Sequence, residues 1–339
     1  MQSLPLISII IPVYQAEKYI ENTITNLEQQ SYPNIEIVCI DDHSSDKSYD
    51  LCKMLADKYS NIRLFRNKTR QGVEYTRNYG ICESSGEYLT FVDADDTVDS
   101  DMIETLLFSA SLYNSDVVIS GYKAVFNTTV VNHLASIEEG KFPASSFVEF
   151  MYDRCPLDVF CCIGGKLYRR DLLRNDCIEF DMQFKYNEDL AFITCVMKKA
   201  KTVSYVNKCF YNYLIRTAGS TMSSKRDNMF ESMMRVQLLL KSLLIQYSVF
   251  EEKKSFYFNA VFILFLSSMM NEVQYGTFES FKSLLFSIRE STDYNETFQY
   301  VKQNKNSVLK HRLLNACINS KVDLLTFCIF KIKKPGGRY

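Results

Sequence analysis

Short, unbroken apolar runs alternate with amphipathic stretches along the first part of the chain. Residues 7–13 (ISIIIPV) are almost entirely aliphatic, which is typical of a strand buried on both faces. In residues 16–30, apolar side chains recur three or four positions apart, and this spacing indicates a helix with one buried face. The chain is therefore predicted to begin with a strand followed by a helix.

The same alternation continues as far as residue 125. Further strands are predicted at 35–40, 62–65, 88–92 and 117–125, and helices at 48–59, 73–83 and 100–113. Strands that alternate with helices favour parallel pairing through crossover connections. We therefore predict an α/β fold with a doubly wound, mainly parallel (mixed) sheet flanked by helices.

The second part of the chain follows a different pattern. The order is less regular over 126–215, and strand signals end near residue 225. Helical spacing then marks 230–247, 256–273, 278–290 and 308–330. We predict a first domain over 1–225, a helical C-terminal domain over 226–330 and a basic tail over 331–339.

Composition narrows the classes of function. With 339 residues, 47% of them hydrophobic, the chain can bury a sizeable core. Its 39 basic and 40 acidic residues leave a net charge of −1, so no nucleic-acid partner is expected. The most apolar helical window, 256–270, is shorter than the roughly 20 residues that a membrane span requires, and we predict a core helix there.

The cysteines and the amino terminus both predict a cytoplasmic protein. The eleven cysteines include no C-x-x-C pair and their number is odd, which indicates reduced thiols. The first 13 residues lack the basic start of a signal peptide, and their apolar stretch has only the length of a strand.

Three aspartates follow the strand predicted at 88–92. Asp93 and Asp95 are two positions apart, so in extended backbone their side chains point the same way. Two hard oxygen donors suit Mg²⁺ or Mn²⁺, which keep further coordination positions for water and phosphate. The alternative is that Asp95, Asp96 and Asp99 cap the helix predicted from residue 100.

Polar residues also follow the first and second predicted strands. Pro12 and Tyr14 end the first strand, and Asp41 and Asp42 follow the second. Because the carboxyl ends of parallel strands meet at one edge of a sheet, these residues should lie near the aspartates that follow the strand at 88–92. The sequence therefore predicts a ligand site at this edge.

Four stretches within residues 5–220 together carry a family pattern. They read ISIIIPVYQAEKYIENTITNLEQQSYPNIEIVCIDDHSSDKS, GVEYTRNYGICESSGEYLTFVDADD, GGKLYRRDLL and NEDLAF, in this order. In these stretches the chain resembles a bacterial family 2 glycosyltransferase of the GT-A fold. The resemblance implies that residues 1–225 form a GT-A domain that binds a nucleotide-sugar and carries out catalysis.

The resemblance also implies a reaction. The expected donor is a nucleotide-diphospho-sugar, by family weight a UDP-sugar, and the expected cofactor is Mn²⁺ or Mg²⁺ held by the D-x-D pair. The sugar would pass, with inversion, to a hydroxyl of a glycan or a polyprenyl-diphosphate-linked acceptor. Such transfers serve the synthesis of surface polysaccharide or lipid-linked oligosaccharide.

Roles on the donor side are carried over residue by residue. Pro12 and Tyr14 match the positions that pack on the nucleotide base. Asp42, with Asp41 beside it, matches the carboxylate that accepts a hydrogen bond from the base.

A second group of matching positions surrounds the diphosphate. Arg77 and Asn78 lie where the family has Ala-Arg-Asn near the donor, with Thr76 in place of the alanine. Asp93 and Asp95 match the D-x-D motif, and Asp95 is expected to be the direct metal ligand.

The carry-over places the chemistry further along the chain. Asp189 matches the catalytic base, and Glu188 beside it is the rival base. Without the resemblance, the favoured interpretation is that both are first-turn acids that complement a helix dipole. Arg216 and Ser220 resemble a segment that closes over the diphosphate in relatives.

Other residues with chemical potential receive weaker interpretations. The histidines at 43, 133 and 311 are too scattered to predict a triad or a zinc site. Cys161 and Cys162 are predicted to be a buried structural pair. Gly164 and Gly165 lack the P-loop spacing and resemble small residues that let an acceptor approach the backbone.

Two further functions stay open on the sequence. One is a catalytically silent sugar-nucleotide-binding scaffold protein of a polysaccharide assembly system, which the joint presence of Asp42, Asp93, Asp95 and Asp189 disfavours. The other is a nucleotidyltransferase, which requires a glycine-rich basic loop after the first strand, where VYQAEKY stands.

The carboxyl terminus suggests contact with a membrane. An apolar stretch over 313–330 leads into Lys331, Lys333, Lys334 and Arg338. A basic cluster beside an apolar helix suits peripheral attachment to the inner face of the cell membrane. A core helix followed by a solvated tail explains the same residues.

Overall fold

The computed structural model describes residues 4–215 and 228–303. The first stretch begins with elements in alternation: β1 (Ile7–Val13), α1 (Ile20–Leu27), β2 (Ile35–Asp41), α2 (Ser48–Lys58), β3 (Ile62–Arg66), α3 (Val73–Glu83), β4 (Tyr88–Phe91), β5 (Thr97–Val98), α4 (Met102–Tyr113) and β6 (Val117–Val125). Every strand and helix that the sequence predicts over these residues is present, and the short β5 is an addition.

The following residues form smaller elements before a long strand. They are β7 (Val130–His133), β8 (Gly140–Pro143), α5 (Ala144–Glu149), α6 (Leu157–Cys161), β9 (Lys166–Arg169), α7 (Arg170–Asn175), α8 (Glu188–Lys199) and β10 (Thr202–Leu214). Four helices come after them: α9 (Met229–Gln246), α10 (Phe250–Tyr275), α11 (Phe278–Glu290) and α12 (Thr292–Gln303).

The strands form one mixed sheet, as predicted. Their order is β3-β2-β1-β4-β9-β6-β10-β5, and β7 and β8 pair with β6 and β10. Strands β3, β2, β1 and β4 run parallel, as do β6 and β10. Strand β9 lies antiparallel between β4 and β6 and joins these two parallel groups.

The hydrophobic core explains why β1 and β2 have almost no polar residues. All seven residues of β2 are buried, and Ile9, Ile10 and Ile11 of β1 have no solvent exposure. Helices on both faces cover these central strands, so neither face tolerates alternating polar side chains. The same burial fixes the strand ends at which the polar loops begin.

The described residues divide into two compact units. Residues 4–215 with Ser242–Val249 form the first, and residues 228–241 with 250–303 form the second. The second unit consists of helices, in agreement with the predicted helical C-terminal region. The helix predicted at 308–330 and the basic tail at 331–339 lie outside the described residues, and the exact domain boundaries stay a prediction.

Helix α10 is longer than the sequence pattern indicated. It has 26 residues because the charged Glu251, Glu252, Lys253 and Lys254 continue the helix instead of ending it. Within the described residues it is the one helix whose length and composition would allow a membrane crossing, and 44% of its most apolar window is buried. The length argument against a span was therefore wrong, although a core helix of a soluble protein has the same length and composition.

Candidate active site

The predicted convergence of strand ends is observed. Val13 of β1 pairs with Asp41 of β2, and β4 runs parallel to β1 on its other side. The loops after these three strands therefore leave the sheet at the same edge. They carry Tyr14, Asp42 and Asp93.

Asp42 organises the loop that follows β3. Its Oδ1 accepts hydrogen bonds from Gln71 N and Asn67 Nδ2, both at 2.8 Å, and its Oδ2 accepts one from Gly72 N at 2.9 Å. The carboxylate is almost fully buried by these contacts. Sequence reasoning missed this loop, because nothing local to residues 67–72 indicates a distant carboxylate.

Asp41 is the last residue of β2 and is fully buried. Its Oδ2 is 3.1 Å from Arg66 Nε and accepts a hydrogen bond from Ser44 N at 3.2 Å. Its Oδ1 has no hydrogen-bond partner among the described residues. Asp41 thus stabilises the loop after β2, and Asp42 fixes residues 67–72, the loop after β3.

Tyr14 offers an aromatic surface at the end of β1. Its side chain is partly exposed, and the guanidinium of Arg70 lies 4.2 Å from the ring centroid. Pro12 lies two residues earlier and is partly buried. The pair of Tyr14 and Arg70 can hold a planar group by stacking and a cation–π contact, and Arg70 was not predicted from the sequence.

Arg77 is the centre of the site. Its side chain is only 4% exposed and projects from α3, which is packed against β1 and β2. Its Nη2 is 3.1 Å from Asp93 Oδ1, and its Nη1 is 2.8 Å from Asp189 Oδ1 and 3.8 Å from Glu188 Oε1. One buried guanidinium therefore joins the D-x-D loop to the start of α8.

The environment keeps Arg77 charged. Burial opposes the charge, but the nearby Asp189, Asp93 and Glu188 raise the pKa of the guanidinium above its ordinary value. The ring of Phe180 lies 5.1 Å from the guanidinium carbon and covers one side of it. Arg77 was predicted near the donor, and the structure places it between the predicted metal ligands and the predicted base.

Asn78, which follows Arg77, contacts backbone. Its Nδ2 donates to Phe180 O, and its Oδ1 accepts from Phe180 N, both at 2.8 Å. This reciprocal pair fixes the chain that leads to α8 and so holds Phe180 over Arg77. Asn78 therefore has a positioning role.

The loop after β4 carries the three aspartates in different environments. Asp93 and Asp95 are both partly exposed. They lie in a turn closed by a hydrogen bond from Asp96 N to Asp93 O at 3.1 Å, so the extended backbone that the sequence analysis assumed for them is wrong. Asp96 is buried: its Oδ2 accepts from Tyr211 OH at 2.7 Å and its Oδ1 from Leu214 N at 2.9 Å. Burial and then the charge of Asp93 raise the pKa of Asp96 to about 8.

The alternative that these aspartates cap the following helix is not supported for two of them. Helix α4 begins at Met102, and its N-cap residue is Asp101. Asp99 is instead paired with Lys123 Nζ at 2.7 Å, and Asp96 is bonded to β10. Asp96 anchors this loop to β10. The sequence alone did not distinguish this role from the roles of Asp93 and Asp95.

The two candidate bases occupy the first turn of α8. The helix follows Asn187, which has a positive φ of 61°. Glu188 and Asp189 are 24% and 33% exposed. Their position also complements the helix dipole. The interpretation as first-turn acids is therefore compatible with the interpretation as candidate bases.

Both of these carboxyl groups have a raised pKa. Burial and then the charge of Asp189 raise the pKa of Glu188 to about 7. Burial raises the pKa of Asp189 as well, and Arg77 opposes that shift. A carboxylate with a raised pKa is a stronger proton acceptor than a solvated one, so either residue is suited to general-base chemistry.

The predicted metal ligands are two carboxylates in the loop after β4. Among the described residues, no group of three or more His, Cys, Asp or Glu side chains is arranged to hold a metal ion. Asp93 and Asp95 supply two carboxylates, which fits Mg²⁺ or Mn²⁺ when a substrate's phosphates and water provide the other ligands. Arg216 and Ser220 lie outside the described residues.

One minor sequence interpretation is wrong, and the role suggested for Gly164 and Gly165 stays a prediction. Cys161 and Cys162 are partly exposed, so they are not a buried pair. A side chain at Gly164 would meet the ring of Tyr211, since an added Cβ would lie 2.4 Å from it. The glycine is therefore required by Tyr211, whose hydroxyl accepts a hydrogen bond from Asp93 N at 3.1 Å.

The first comparison with known proteins concerns sequence. Residues 8–176 match the family model described as "Glycosyl transferase family 2". Glycosyltransferase GlyA of Streptococcus pneumoniae is 33% identical over 217 residues, which are 62% of this chain and 30% of that protein. The cholesterol galactosyltransferase of Borreliella burgdorferi is 27% identical over 353 residues and 96% of each chain. The chain thus spans less than a third of GlyA and nearly all of the second relative.

The second comparison concerns structure. S. aureus TarS 1–349, solved with UDP, has a TM-score of 0.66 at 19% identity and covers 98% of this chain and 92% of its own. The same protein solved with UDP-GlcNAc has a TM-score of 0.63 at 19% identity and covers 96% of this chain and 90% of its own. At this identity the likeness shows a shared fold.

Proposed function

The chain belongs to glycosyl transferase family 2, and on that premise we propose that it transfers a sugar from a UDP-sugar to an acceptor hydroxyl in bacterial surface-polysaccharide or lipid-linked oligosaccharide synthesis. The observation that carries the proposal is the contact of Arg77 with Asp93 on one side and Asp189 on the other. Donor binding and proton removal need these two groups within one small site.

The choice of UDP rests on the surface formed by Tyr14 and Arg70 and on the structures of TarS. Tyr14 and Arg70 form an open planar surface, and Asp42 shapes the loop beside it. TarS, which shares the fold, has been solved with UDP and with UDP-GlcNAc. A uridine ring stacked on Tyr14 would place its diphosphate toward Asp93 and Asp95.

Asp93 and Asp95 would hold Mn²⁺ or Mg²⁺ together with the donor diphosphate. A bound divalent cation would neutralise the charge that develops on the leaving diphosphate. Arg77 holds Asp93 at 3.1 Å and so orients its carboxylate. Asp96, bonded to Tyr211, fixes the loop on which both ligands stand.

Asp189 is the proposed general base, and Glu188 is the alternative. In a single displacement the acceptor oxygen bonds to the anomeric carbon, its proton passes to the carboxylate, and the bond to the diphosphate breaks to release UDP. This requires one base and no covalent intermediate, and it inverts the anomeric centre. The contact with Arg77 at 2.8 Å aims the carboxylate before the acceptor arrives.

Metal removal tests the function as a whole. Chelation should abolish release of UDP from UDP-sugars, and Mn²⁺ should restore it, because the cation offsets several kcal/mol of charge on the leaving group. Asp95→Asn should lose both this recovery and the metal-dependent part of UDP binding. The measurement is chromatography of products from a UDP-sugar panel with extracted lipid-linked acceptors. Pyrophosphate in place of UDP would indicate a nucleotidyltransferase, and a lack of any turnover would favour the silent scaffold.

Substitution of Asp42 tests whether the loop that it holds, residues 67–72, contributes to donor binding. Asp42→Ala should weaken UDP binding by about 1–3 kcal/mol, since the backbone N–H groups of residues 71 and 72 lose their acceptor and the loop loosens. Calorimetric titration with UDP measures the loss. Glu36→Gln is the matched control: Glu36 is also a buried carboxylate that accepts from two backbone N–H groups, at residues 85 and 86, but it stands at the other end of β2. Equal losses in the two variants would remove the specific role of Asp42.

A further inference from the structure

Three rings lie in a row across neighbouring strands, beginning beside the D-x-D loop. Tyr211 of β10 is paired with Tyr122 of β6, and Tyr122 is paired with His133 of β7. Residues paired across strands present their side chains on the same face of a sheet, so the three rings share one face. The rings of Tyr122 and His133 stack with centroids 4.4 Å apart and 12° between their planes. Tyr211 is the residue that bonds Asp96 and Asp93 N.

The outer end of the row carries a carboxylate. Asp158 Oδ2 accepts a hydrogen bond from Tyr122 OH at 3.1 Å and lies 2.6 Å from His133 Nδ1. Its Oδ1 accepts a hydrogen bond from Val159 N at 2.9 Å. The Asp158 side chain is 45% exposed and that of His133 is 29% exposed. Three polar groups are thus fixed by one another and still open to a ligand.

Helix α6, which carries Asp158, is fastened to the sheet from below. Lys166 on β9 is fully buried, and its Nζ donates to Val159 O at 2.9 Å and to Cys162 O. These are carbonyl groups at the carboxyl-terminal side of α6, where a cation is favourable. The carboxylate of Asp158 therefore stands on a rigid support.

The same helix reaches toward the candidate base. Helix α6 contacts α8, and the first turn of α8 carries Glu188 and Asp189. Asp158 and the candidate bases therefore lie on two helices that touch each other. On its other side, Asp158 is connected to the D-x-D loop through Tyr122 and Tyr211.

We propose that Asp158, His133 and Tyr122 form an acceptor subsite that binds the hydroxyl groups of a neutral sugar on the acceptor glycan. The inference rests on the proposed transferase function and names its acceptor class. A fixed carboxylate accepts hydrogen bonds from sugar hydroxyl groups, and the adjacent imidazole offers a further polar contact.

The charge of the subsite argues against a phosphate-rich acceptor. A phosphodiester beside Asp158 would meet a like charge, which disfavours a charged partner at this position. Lys123, next to Tyr122 on β6, is paired with both oxygens of Asp99 at 2.7 and 2.8 Å. Lys166 is buried against backbone carbonyls. Both cations are therefore already used, and a neutral sugar is the favoured occupant.

The test measures binding of defined probes to the full chain with UDP and Mn²⁺. The probes are the p-nitrophenyl β-glycosides of glucose, galactose and N-acetylglucosamine, with ribitol 5-phosphate as the charged alternative. Saturation-transfer NMR titration should show binding of at least one glycoside and weaker or no binding of ribitol 5-phosphate. Asp158→Asn and His133→Gln should weaken the glycoside about tenfold or more, as expected for the loss of a hydrogen bond to a charged group. UDP affinity should not change.

Two further variants keep the result decisive. Tyr122→Phe removes only the hydroxyl donor to Asp158 and serves if Asp158→Asn does not fold; it should weaken the glycoside in the same direction. Asp176→Asn is the control, because Asp176 is 35% exposed and pairs with Lys199 at 3.1 Å, at the end of α8 about 16 Å from Glu188. It should change nothing.

The outcomes separate the subsite from the function. The subsite is wrong if none of the glycosides binds the wild type, if ribitol 5-phosphate binds more tightly, or if folded Asp158 and Tyr122 variants retain full glycoside affinity. If the wild type neither binds UDP nor releases it from UDP-sugars, the proposed function is contradicted instead.

Discussion

Replacing Asp189 by asparagine is expected to lower turnover about a hundredfold or more and to leave UDP affinity almost unchanged. General-base assistance is worth on the order of 10²–10⁴ in rate, and this substitution removes a group that is needed only in the transition state. The asparagine keeps an oxygen that can accept the hydrogen bond from Arg77, now 2.8 Å long, so the fold of the site should persist. Single-turnover UDP release and UDP calorimetry measure the two quantities separately.

Glu188→Gln is the matched control for this experiment. Glu188 stands beside Asp189 in the first turn of α8, but its distance from Arg77 Nη1 is 3.8 Å, compared with 2.8 Å for Asp189. It should therefore reduce turnover less than the change at Asp189. A larger loss from Glu188→Gln would assign the base to Glu188 and leave Asp189 as the group that orients Arg77.

Replacing Arg77 by methionine is expected to affect stability and catalysis together. Removing one partner of a buried ion pair typically costs about 3–5 kcal/mol, because the remaining charges lose their compensation. The partners of Arg77 are partly exposed, so water will reduce this loss toward the lower value. Urea unfolding measures the change in the free energy of unfolding.

The pH dependence gives a second readout for Arg77. The guanidinium lowers the pKa of both Asp189 and Glu188, so its removal should raise both. Because the base acts in its deprotonated form, the acidic limb of the kcat/KM profile should then move to higher pH. Arg77→Lys keeps the charge but loses the second N–H contact, so its profile should move less and its fold should be retained.

Arg63→Met is the control for the loss of a bridging arginine. Arg63 joins Glu36 and Glu83 on another part of the sheet, and its side chain is 38% exposed. Its loss should cost about 1 kcal/mol or less and leave the pH profile unchanged. A shift of the profile in this variant, or none in Arg77→Met, would contradict the role given to Arg77.

The family, the mixed sheet and the helical C-terminal region were predicted from the sequence and are confirmed. The physical reason is that the strands, helices and motifs on which these features depend are specified by patterns among residues close together in the sequence. An aliphatic run such as residues 7–13 specifies a strand buried on both faces. The placement of Pro12, Tyr14, Asp42 and Asp93 at one edge follows from parallel pairing alone.

Contacts between distant residues were decided by the tertiary structure. Arg77 and Asp189 are 112 positions apart, and their ion pair depends on how α3 and α8 are placed by the sheet. The insertion of β9 between β4 and β6 depends on antiparallel pairings that no local period announces. The hydrogen bonds from Asn67 and Gln71 to Asp42 likewise depend on how distant segments pack together.

The subsite at Asp158 illustrates this division most clearly. In the sequence, His133 is one of three scattered histidines, and Tyr122 is one of 22 tyrosines. Only the register of β10, β6 and β7 brings Tyr211, Tyr122 and His133 into one row that ends at Asp158. Local pattern determines which segments become strands, because side-chain alternation and burial act on adjacent residues. The partner and register of each strand are set by packing over the whole sheet, and that packing decided which side chains meet at the site.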